Sequence, residues 1–463
     1  MAIKRVVMPQ LAAEVRTRNF EEVNCGLSSN QAFTEANRCL QCKNRPCVPG
    51  CPVGVSIPEF ICALASDDVP RSAQILQQDN PLASVCGRVC PQETQCERLC
   101  ARGKKGESVA IGYLERYVAD WAMCHQEKLL PDQASGTTGK SVVVVGSGPA
   151  GLTAAGGLVR LGHTVTIFEA LHDTGGVLRY GIPEFRLPKK IIDHEVALLV
   201  SLGVTIECNV IIGKTLTIAE LRNQFDAIFI ANGAGLPVML KIPGENLKGV
   251  YAANEFLTRV NLMEAGRSNN SSTPIIKRRE VAVIGGGNTA IDCVRTARRL
   301  GAEHAMIVYR RSEAEIPART EEIRHAMEEG VEFVMLTAPI EILATKDGWV
   351  SALRCRKMEL GSPDDSGRRR PQAVNGSDFE QPAGIVINAI GTGANPLLTA
   401  TAPDITLNDQ GNIRVNSNGE TSISGVFAGG DIVRGGATVI LAMGDGKRAA
   451  VTIDEYLGQH PHT

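Results

Sequence analysis

Val142-Val-Val-Val145-Gly146-Ser147-Gly148-Pro149-Ala150-Gly151-Leu152 is the stretch that decides the fold. Four branched apolar residues read as a buried strand, the glycines as a tight turn, and the run to Leu161 as a helix opening at that turn. A second strand, Thr164 to Phe168, follows and ends on Glu169, 23 positions after the first glycine. The glycine pattern alone would fit a purely structural turn, but strand, turn, helix, strand and acid in that order form a dinucleotide-binding βαβ unit. Gly146 permits the turn, and Gly148, leading into Pro149 and Ala150, lets a pyrophosphate approach the backbone. Gly151 packs helix on strand, and the helix N-terminus offers partial positive charge to the phosphates. Glu169 is placed to accept from ribose hydroxyls.

A second copy begins at Val281-Ala-Val-Ile-Gly285-Gly286-Gly287-Asn288-Thr289-Ala290 and continues through a helix to Leu300 and a strand, Ala305 to Val308. Here the terminal acid is replaced by Tyr309-Arg310-Arg311. A carboxylate there would repel a ribose 2′-phosphate, whereas guanidiniums pair with it, so Gly285, Gly287, Asn288, Thr289, Arg310 and Arg311 read as a site for NADPH rather than NADH. The plainer alternative makes the two arginines surface ion pairs. Near the C-terminus an apolar strand from Gly425 closes on Gly430-Asp431, followed by Thr438 and a helix-like run from Val439. Asp431 suits the ribityl hydroxyls of a flavin and the helix start near Thr438 suits a reduced isoalloxazine ring, although Asp431 as a simple helix cap explains the same pattern.

Before the first turn the chain has a different texture. Of fourteen cysteines, eleven precede Gly136. Eight of them form two sets, Cys39-x2-Cys42-x4-Cys47-x3-Cys51-Pro52 and Cys86-x3-Cys90-Pro91-x5-Cys96-x3-Cys100. Eight thiols supply two clusters of four, and in two-cluster ferredoxin runs the cysteine before proline crosses to the other cluster. The spacing therefore predicts one 4Fe-4S cluster on Cys39, Cys42, Cys47 and Cys100 and another on Cys51, Cys86, Cys90 and Cys96. A pair of zinc sites is the alternative, but zinc ribbons favour two CxxC knuckles and only Cys39/Cys42 forms one. Helix-like runs at Ile57 to Leu64 and Ala110 to Met123 between these loops imply a small helical domain.

Composition is consistent with a globular chain of several domains. Its 463 residues are 43% hydrophobic and 21% charged, with a formal net charge of -2, so no global basic field exists to hold nucleic acid or an anionic membrane. The first residues lack an apolar signal core and no run reaches spanning length, which predicts a cytoplasmic protein. Polar linkers at Ser135–Lys140 and Ser268–Pro274 set the expected boundaries: a helical cluster domain over 1–138, a first flavin segment over 139–267, an NADPH domain over 268–388 and a second flavin segment over 389–463. The fold class is α/β, with two Rossmann-like domains behind the helical one. Asp364 to Gln372 reads as a solvated hairpin or loop without function.

These motifs, in this order, resemble the small (beta) subunit family of NADPH-dependent glutamate synthase over nearly the full length. The residues that carry the likeness are Arg38-Cys-Leu-Gln-Cys42, Cys86-Gly-Arg-Val-Cys-Pro91, the Gly146 turn, Gly175-Gly176-Val-Leu-Arg-Tyr-Gly-Ile-Pro183, Gly285-Gly-Gly-Asn-Thr289 and Gly430-Asp431. Within the family, Arg18-Asn-Phe-Glu-Glu22 and Ile57-Pro-Glu-Phe-Ile61 are most similar to the large subunit of NADH-dependent ferredoxin:NADP oxidoreductase. The resemblance implies a FAD domain with the NADPH domain inserted into it, Gly175 and Gly176 lying along the flavin, and two 4Fe-4S clusters. It also implies an oxidoreductase working with NADP(H) and a second redox subunit or ferredoxin, as part of a hetero-oligomer. Nicotinamide delivers electron pairs and iron–sulfur clusters move them singly, so the flavin is the converter and no catalytic acid or base is assigned. A disulfide reductase is disfavoured because the one CxxC belongs to the cluster set. A whole glutamate synthase would need a further barrel of about 250 residues. A zinc-stabilised nucleotide-binding redox sensor without turnover is the non-enzymatic alternative.

Overall fold

The computed structural model describes residues 4–126, 136–267, 271–364 and 367–459. Ser135 of the first linker and residues 268–270 of the second lie outside these. The N-terminal part is helical: Cys39 to Cys51 lie between Ser29–Ala36 and Ile57–Ala65, Val69–Asp79 follows, Cys86 is on Ala83–Val89, and Cys90, Cys96 and Cys100 lie between that helix and Ile111–Cys124. Ser28 and Asp68 accept from backbone N–H groups at the starts of two of the helices, which satisfies donors that a helix leaves unpaired.

Two five-stranded parallel sheets follow. The first has the order Val426–Ala428, Ala227–Ile230, Ser141–Val145, Thr164–Phe168, Thr205–Glu207, in register Val142 with Val165 and Ala227. Val142 to Val145 are buried on both faces because helices cover the sheet on each side, which is why they form an unbroken apolar run. The second sheet has the order Val250–Ala252, Ile385–Asn388, Glu280–Ile284, His304–Val308, Glu332–Val334. Since Val426–Ala428 pairs with Ala227–Ile230, the chain returns to its first sheet after completing the second: one Rossmann-like domain is inserted in the other.

The expected boundary at 268 shifts. Val250–Ala252 pairs with Ile385–Asn388, and Ala253–Asn261 buries Phe256, Leu257 and Val260 against the second sheet's core. Val250 to Arg267 thus belong to the second domain, and the joint lies before Val250. The polar segment around Asp364 connects two long antiparallel strands, Val350–Pro363 and Arg369–Pro382. Among the described residues no helix is long and apolar enough to cross a membrane.

A buried ionic network holds the parts together. Arg186, from the flavin domain, pairs with Asp292 at 2.7 Å and approaches Glu322 at 3.4 Å. Arg16, from the N-terminal segment, reaches Glu329 at 2.9 Å, and Arg295 and Arg299 share that carboxylate at 2.8 and 2.7 Å. Burial alone would raise the Glu322 carboxyl, but Arg186 and Arg295 hold it down at about 2. His325 sits in the same network, 1% exposed, and burial, with Arg295, Arg16 and Arg324 beside it, lowers its imidazole to about 3. It folds neutral, so below its ordinary value of 6.5 the unfolded chain binds a proton the native chain refuses, and stability falls as pH drops from 6.5 toward 3. Between pH 7 and pH 5 the native chain should lose ~2 kcal/mol more than His325→Gln, read from urea midpoints at the two pH values. Equal losses would remove His325 from the pH response.

Candidate electron-transfer site

The first glycine turn is shaped by contacts that exclude side chains. Gly146 adopts φ +104, and a Cβ there would lie 2.6 Å from the Ala231 carbonyl; one at Gly151 would lie 1.9 Å from the Gly146 carbonyl. Over Gly148 the situation is reversed, since a Cβ would meet nothing within 4 Å. That opening, at the N-terminus of Pro149–Arg160, is where a phosphate fits. Pro149 occupies the first turn, where its missing N–H costs nothing, and Ala150 is buried against Gly446, where a Cβ would stand 2.2 Å from the Ala150 carbonyl. Glu169 is buried at the end of its strand. One oxygen accepts from Ser147 N at 2.9 Å and Ser147 Oγ at 2.5 Å, and the other from Leu171 N at 2.9 Å.

Gly175 N donates to Ser147 Oγ at 2.9 Å, and a Cβ on Gly176 would stand 3.0 Å from Gly148 Cα, so this pair of glycines lies directly on the turn. Gly430 N donates to Asp445 Oδ2 at 2.9 Å. The Asp431 carboxyl is pushed up to about 6 by burial. Thr438 precedes Val439–Gln459, and its Oγ1 accepts from Leu441 N at 3.4 Å. Tyr180 was not singled out by the sequence reading although it lies within the Gly175–Pro183 motif. Burial pushes its hydroxyl up to about 12, and its facing charges are Asp431 and Glu169, which places it between the two ends of this site.

The second turn repeats the pattern. Gly285 has φ +138 and a Cβ there would lie 2.4 Å from the Ala389 carbonyl, while Gly287 faces open space. Asn288 Oδ1 accepts from Arg319 N at 2.9 Å, and Thr289 is exposed. The two arginines part company: Arg310 is exposed, whereas Arg311 is buried, donating to the Arg369 carbonyl at 3.0 Å and pairing with Asp364 at 2.5 Å. Arg319, which carried no motif signal, reaches across to the cysteine-bearing domain, donating to the Arg88 carbonyl at 2.9 Å and to Gln92 Oε1 at 3.1 Å.

The thiols gather in two groups. Cys39, Cys42, Cys47 and Cys100 line one hollow of about 370 Å³, counting its space open to solvent, with Ile57, Ile61 and Ile111 among its apolar walls. Burial raises the Cys47 thiol to about 11, with Cys39, Cys100 and Cys42 close beside it. Cys51, Cys86, Cys90 and Cys96 form the second group. Burial raises Cys51 to about 11, with Glu115 and Cys86 facing it; Cys90 faces Cys86, Glu115 and Cys51; Cys96 faces Glu97, Glu115 and Cys51. Among the described residues no three His, Cys, Asp or Glu are gathered as a single metal ion needs. A four-iron cubane accepts thiols at its outer corners, farther apart than ligands at ~2.3 Å from one zinc.

Glu115 was missed. It is buried on Ile111–Cys124, accepts from Asn80 Nδ2 at 2.8 Å, and burial raises its carboxyl to about 8. It faces Cys51, Cys90 and Cys96, so the second group holds a carboxyl group as well as four thiols. Thiol spacing contains no trace of it. Cys86, in turn, contacts Asn80 Oδ1 at 3.8 Å and Met443 Sδ at 3.4 Å. Met443 belongs to Val439–Gln459, and Lys447 on the same helix donates to the Val53 carbonyl at 2.8 Å. The helix that starts at the Asp431 site thus packs directly on the second thiol group.

Comparison with known proteins agrees with this layout. Residues 16–127 match a family model described as dihydropyrimidine dehydrogenase domain II, 4Fe-4S cluster, and residues 140–446 one described as pyridine nucleotide-disulphide oxidoreductase. The NADPH glutamate synthase small chain of Escherichia coli is 35% identical over 462 residues, with 98% of each chain covered. The chain belongs to this family.

Another relative is the beta subunit of the NADP(+)-dependent formate dehydrogenase of Moorella thermoacetica, 41% identical over 89% of this chain, which spans only 60% of that subunit. Among solved structures, FprA of Mycobacterium tuberculosis in complex with NADPH shares the fold at a TM-score of 0.59 and 24% identity, covering 69% of this chain and 85% of that one. Like the family, the chain is an NADPH-dependent oxidoreductase with a 4Fe-4S domain and an FAD/NADP-binding domain.

Proposed function

We infer that the chain is an electron-transfer subunit that exchanges a hydride between NADPH and FAD and passes single electrons through two 4Fe-4S clusters to or from a separate redox partner. The observation that carries this reading is the junction at Met443: the helix rising from the flavin site touches the second thiol group, so both chemistries meet in one packed core. When bound, the flavin supplies the conversion between paired and single electrons. The chain's residues bind and orient. The Gly148 opening, Glu169, Gly175, Gly176 and Asp431 would hold FAD, the Gly287 opening and Asn288 would hold NADPH, and the two thiol groups would hold one cluster each. At the second, Glu115 and Cys86 compete for the fourth corner. Relatives named as a small chain and a beta subunit support a hetero-oligomer, with the partner either the large subunit of a glutamate synthase or the companion of a ferredoxin:NADP oxidoreductase. Fourteen cysteines, none of them disulfide-bonded, suit a reducing compartment such as the cytoplasm.

Because Arg311 is committed to Asp364, the 2′-phosphate falls to Arg310. Arg310→Ala should weaken NADPH binding roughly ten- to a hundred-fold, ~1.5–3 kcal/mol, and leave NADH binding unchanged. An equal change for both nucleotides would remove Arg310 from the phosphate. Metal and flavin analysis tests the assignment as a whole: about eight irons and one FAD per chain are expected, as two four-iron clusters require, and zinc in their place would refute it.

A further inference from the structure

The second thiol group is approached from both nucleotide domains. Met443 reaches it from the flavin side, and Arg319 reaches its loop from the NADPH side. Arg319 is buried, and its guanidinium crosses to the cysteine-bearing domain, donating from one nitrogen to the Arg88 carbonyl at 2.9 Å and from another to Gln92 Oε1 at 3.1 Å. Both acceptors belong to the turn that leads from Ala83–Val89 through Cys90. Gln92 is itself buried, and its Nε2 donates to the Cys86 carbonyl at 3.2 Å, which also accepts from Cys90 N at 3.1 Å. Gly112 makes room for it, since a Cβ there would stand 2.2 Å from Gln92 Nε2. The seat for Arg319 is therefore built into the loop that carries Cys86 and Cys90.

The main chain of Arg319 faces the nucleotide turn. Its backbone N–H donates to Asn288 Oδ1 at 2.9 Å, and Asn288 opens the helix Asn288–Arg299 beside the open face of Gly287. A backbone N–H can only donate, so it fixes which end of the Asn288 amide is oxygen and leaves the donor end for an anion at the turn. The guanidinium is not that anion's counter-charge, because Glu321 at 3.3 Å and Glu93 at 3.7 Å already face it. One residue thus joins a side chain of the nucleotide turn to the backbone of the cysteine loop.

We propose that Arg319 is a positioning residue for the nucleotide: seated on the turn from Arg88 to Gln92, it holds Asn288 with its amide donors toward the NADPH phosphates and so couples nucleotide binding to the second thiol group. The proposal rests on the NADPH reading above. Coupling of this kind is reciprocal, so a nucleotide at the turn is also felt at the thiol group. A contact that merely packed two domains together would change stability and leave both sites alone.

The test uses the full chain, purified anaerobically with its cofactors, and ADP-ribose 2′-phosphate, which carries the phosphates of NADPH without the nicotinamide and so takes no hydride. Calorimetric titration should show Arg319→Met binding it about tenfold more weakly than wild type, the worth of one hydrogen bond. Asn288→Ala should lose about as much, and the double variant no more than either, because Arg319 acts through Asn288. Gln92→Leu, which unseats the guanidinium from the other domain, should lose at least ~threefold. Iron and flavin are measured on each variant, and Gln92→Leu decides the question if Arg319→Met fails to fold. In the reduced chain, saturating ADP-ribose 2′-phosphate should alter the electron paramagnetic resonance spectrum of wild type and leave that of Arg319→Met unchanged. Wild-type affinity in Arg319→Met or in Gln92→Leu, an additive loss of about a hundredfold in the double variant, or a wild-type spectrum indifferent to the ligand would each overturn the proposal. A wild-type chain that binds neither this ligand nor NADPH would overturn the functional reading along with it.

Discussion

Gly148→Ala is expected to fold as stably as the native chain and to bind FAD about a hundredfold more weakly, a loss of about 2.7 kcal/mol. Gly148 has φ -69, which alanine adopts without strain, and its added methyl meets no described protein atom within 4 Å. The protein therefore has no reason of its own to keep glycine there. What the methyl would strike is a pyrophosphate drawn against the turn, together with the charge-assisted bonds it takes from the helix N-terminus. Gly151→Val gives the opposite signature: its Cβ would fall 1.9 Å from the Gly146 carbonyl, so the helix must leave the strand and stability is lost along with the flavin. Thermal melts of the apo-proteins with fluorescence titration of FAD separate the two. Unchanged FAD affinity in Gly148→Ala would mean that the open space is not a phosphate site.

Arg186→Met should destabilise the junction of the two nucleotide domains by ~3–5 kcal/mol, the usual cost of leaving a buried charge without its partner. Asp292 would lose both of its 2.7–2.8 Å contacts, and Glu322 one of the cations that hold it at about 2. Phe185 beside it carries Arg299 over its ring at 3.9 Å and Arg295 at 4.8 Å, so the segment 185–186 enters the second domain as a unit. The expected result is an earlier melting transition of the NADPH domain, seen by calorimetry as a split of one transition into two. If Arg186→Met with Asp292→Asn melts closer to wild type than Arg186→Met alone, the cost is that of the orphaned carboxylate. A melt of Arg186→Met identical to wild type would show that the clamp carries no load between the domains.

The parts legible in the sequence are those governed by local rules. Val142 to Val145, the glycine turns and Glu169 are contiguous, and their physics depends on neighbours within about thirty residues, so the βαβ units could be read directly. The cysteine spacing likewise carried both thiol groups, because the proline after Cys51 signals a crossing. The boundary expected at Ser268–Pro274 fell late because polar composition alone does not mark a joint, and the pairing of Val250–Ala252 with Ile385–Asn388 puts the second domain's start earlier. Glu115, Arg319 and Arg186 were invisible because their roles come from contacts more than thirty positions away, such as Arg319 with Arg88 at a separation of 231. Arg310 and Arg311 are adjacent in sequence and identical in type. Only the hairpin that delivers Asp364 distinguishes them.

The most direct measurement is an anaerobic titration of the purified chain with NADPH, recording the visible spectrum alongside iron and acid-labile sulfide. The account predicts that stoichiometric NADPH bleaches the flavin bands and that about eight irons and eight sulfides accompany each FAD. Flavin that NADPH leaves oxidised, or zinc where iron is expected, would contradict it.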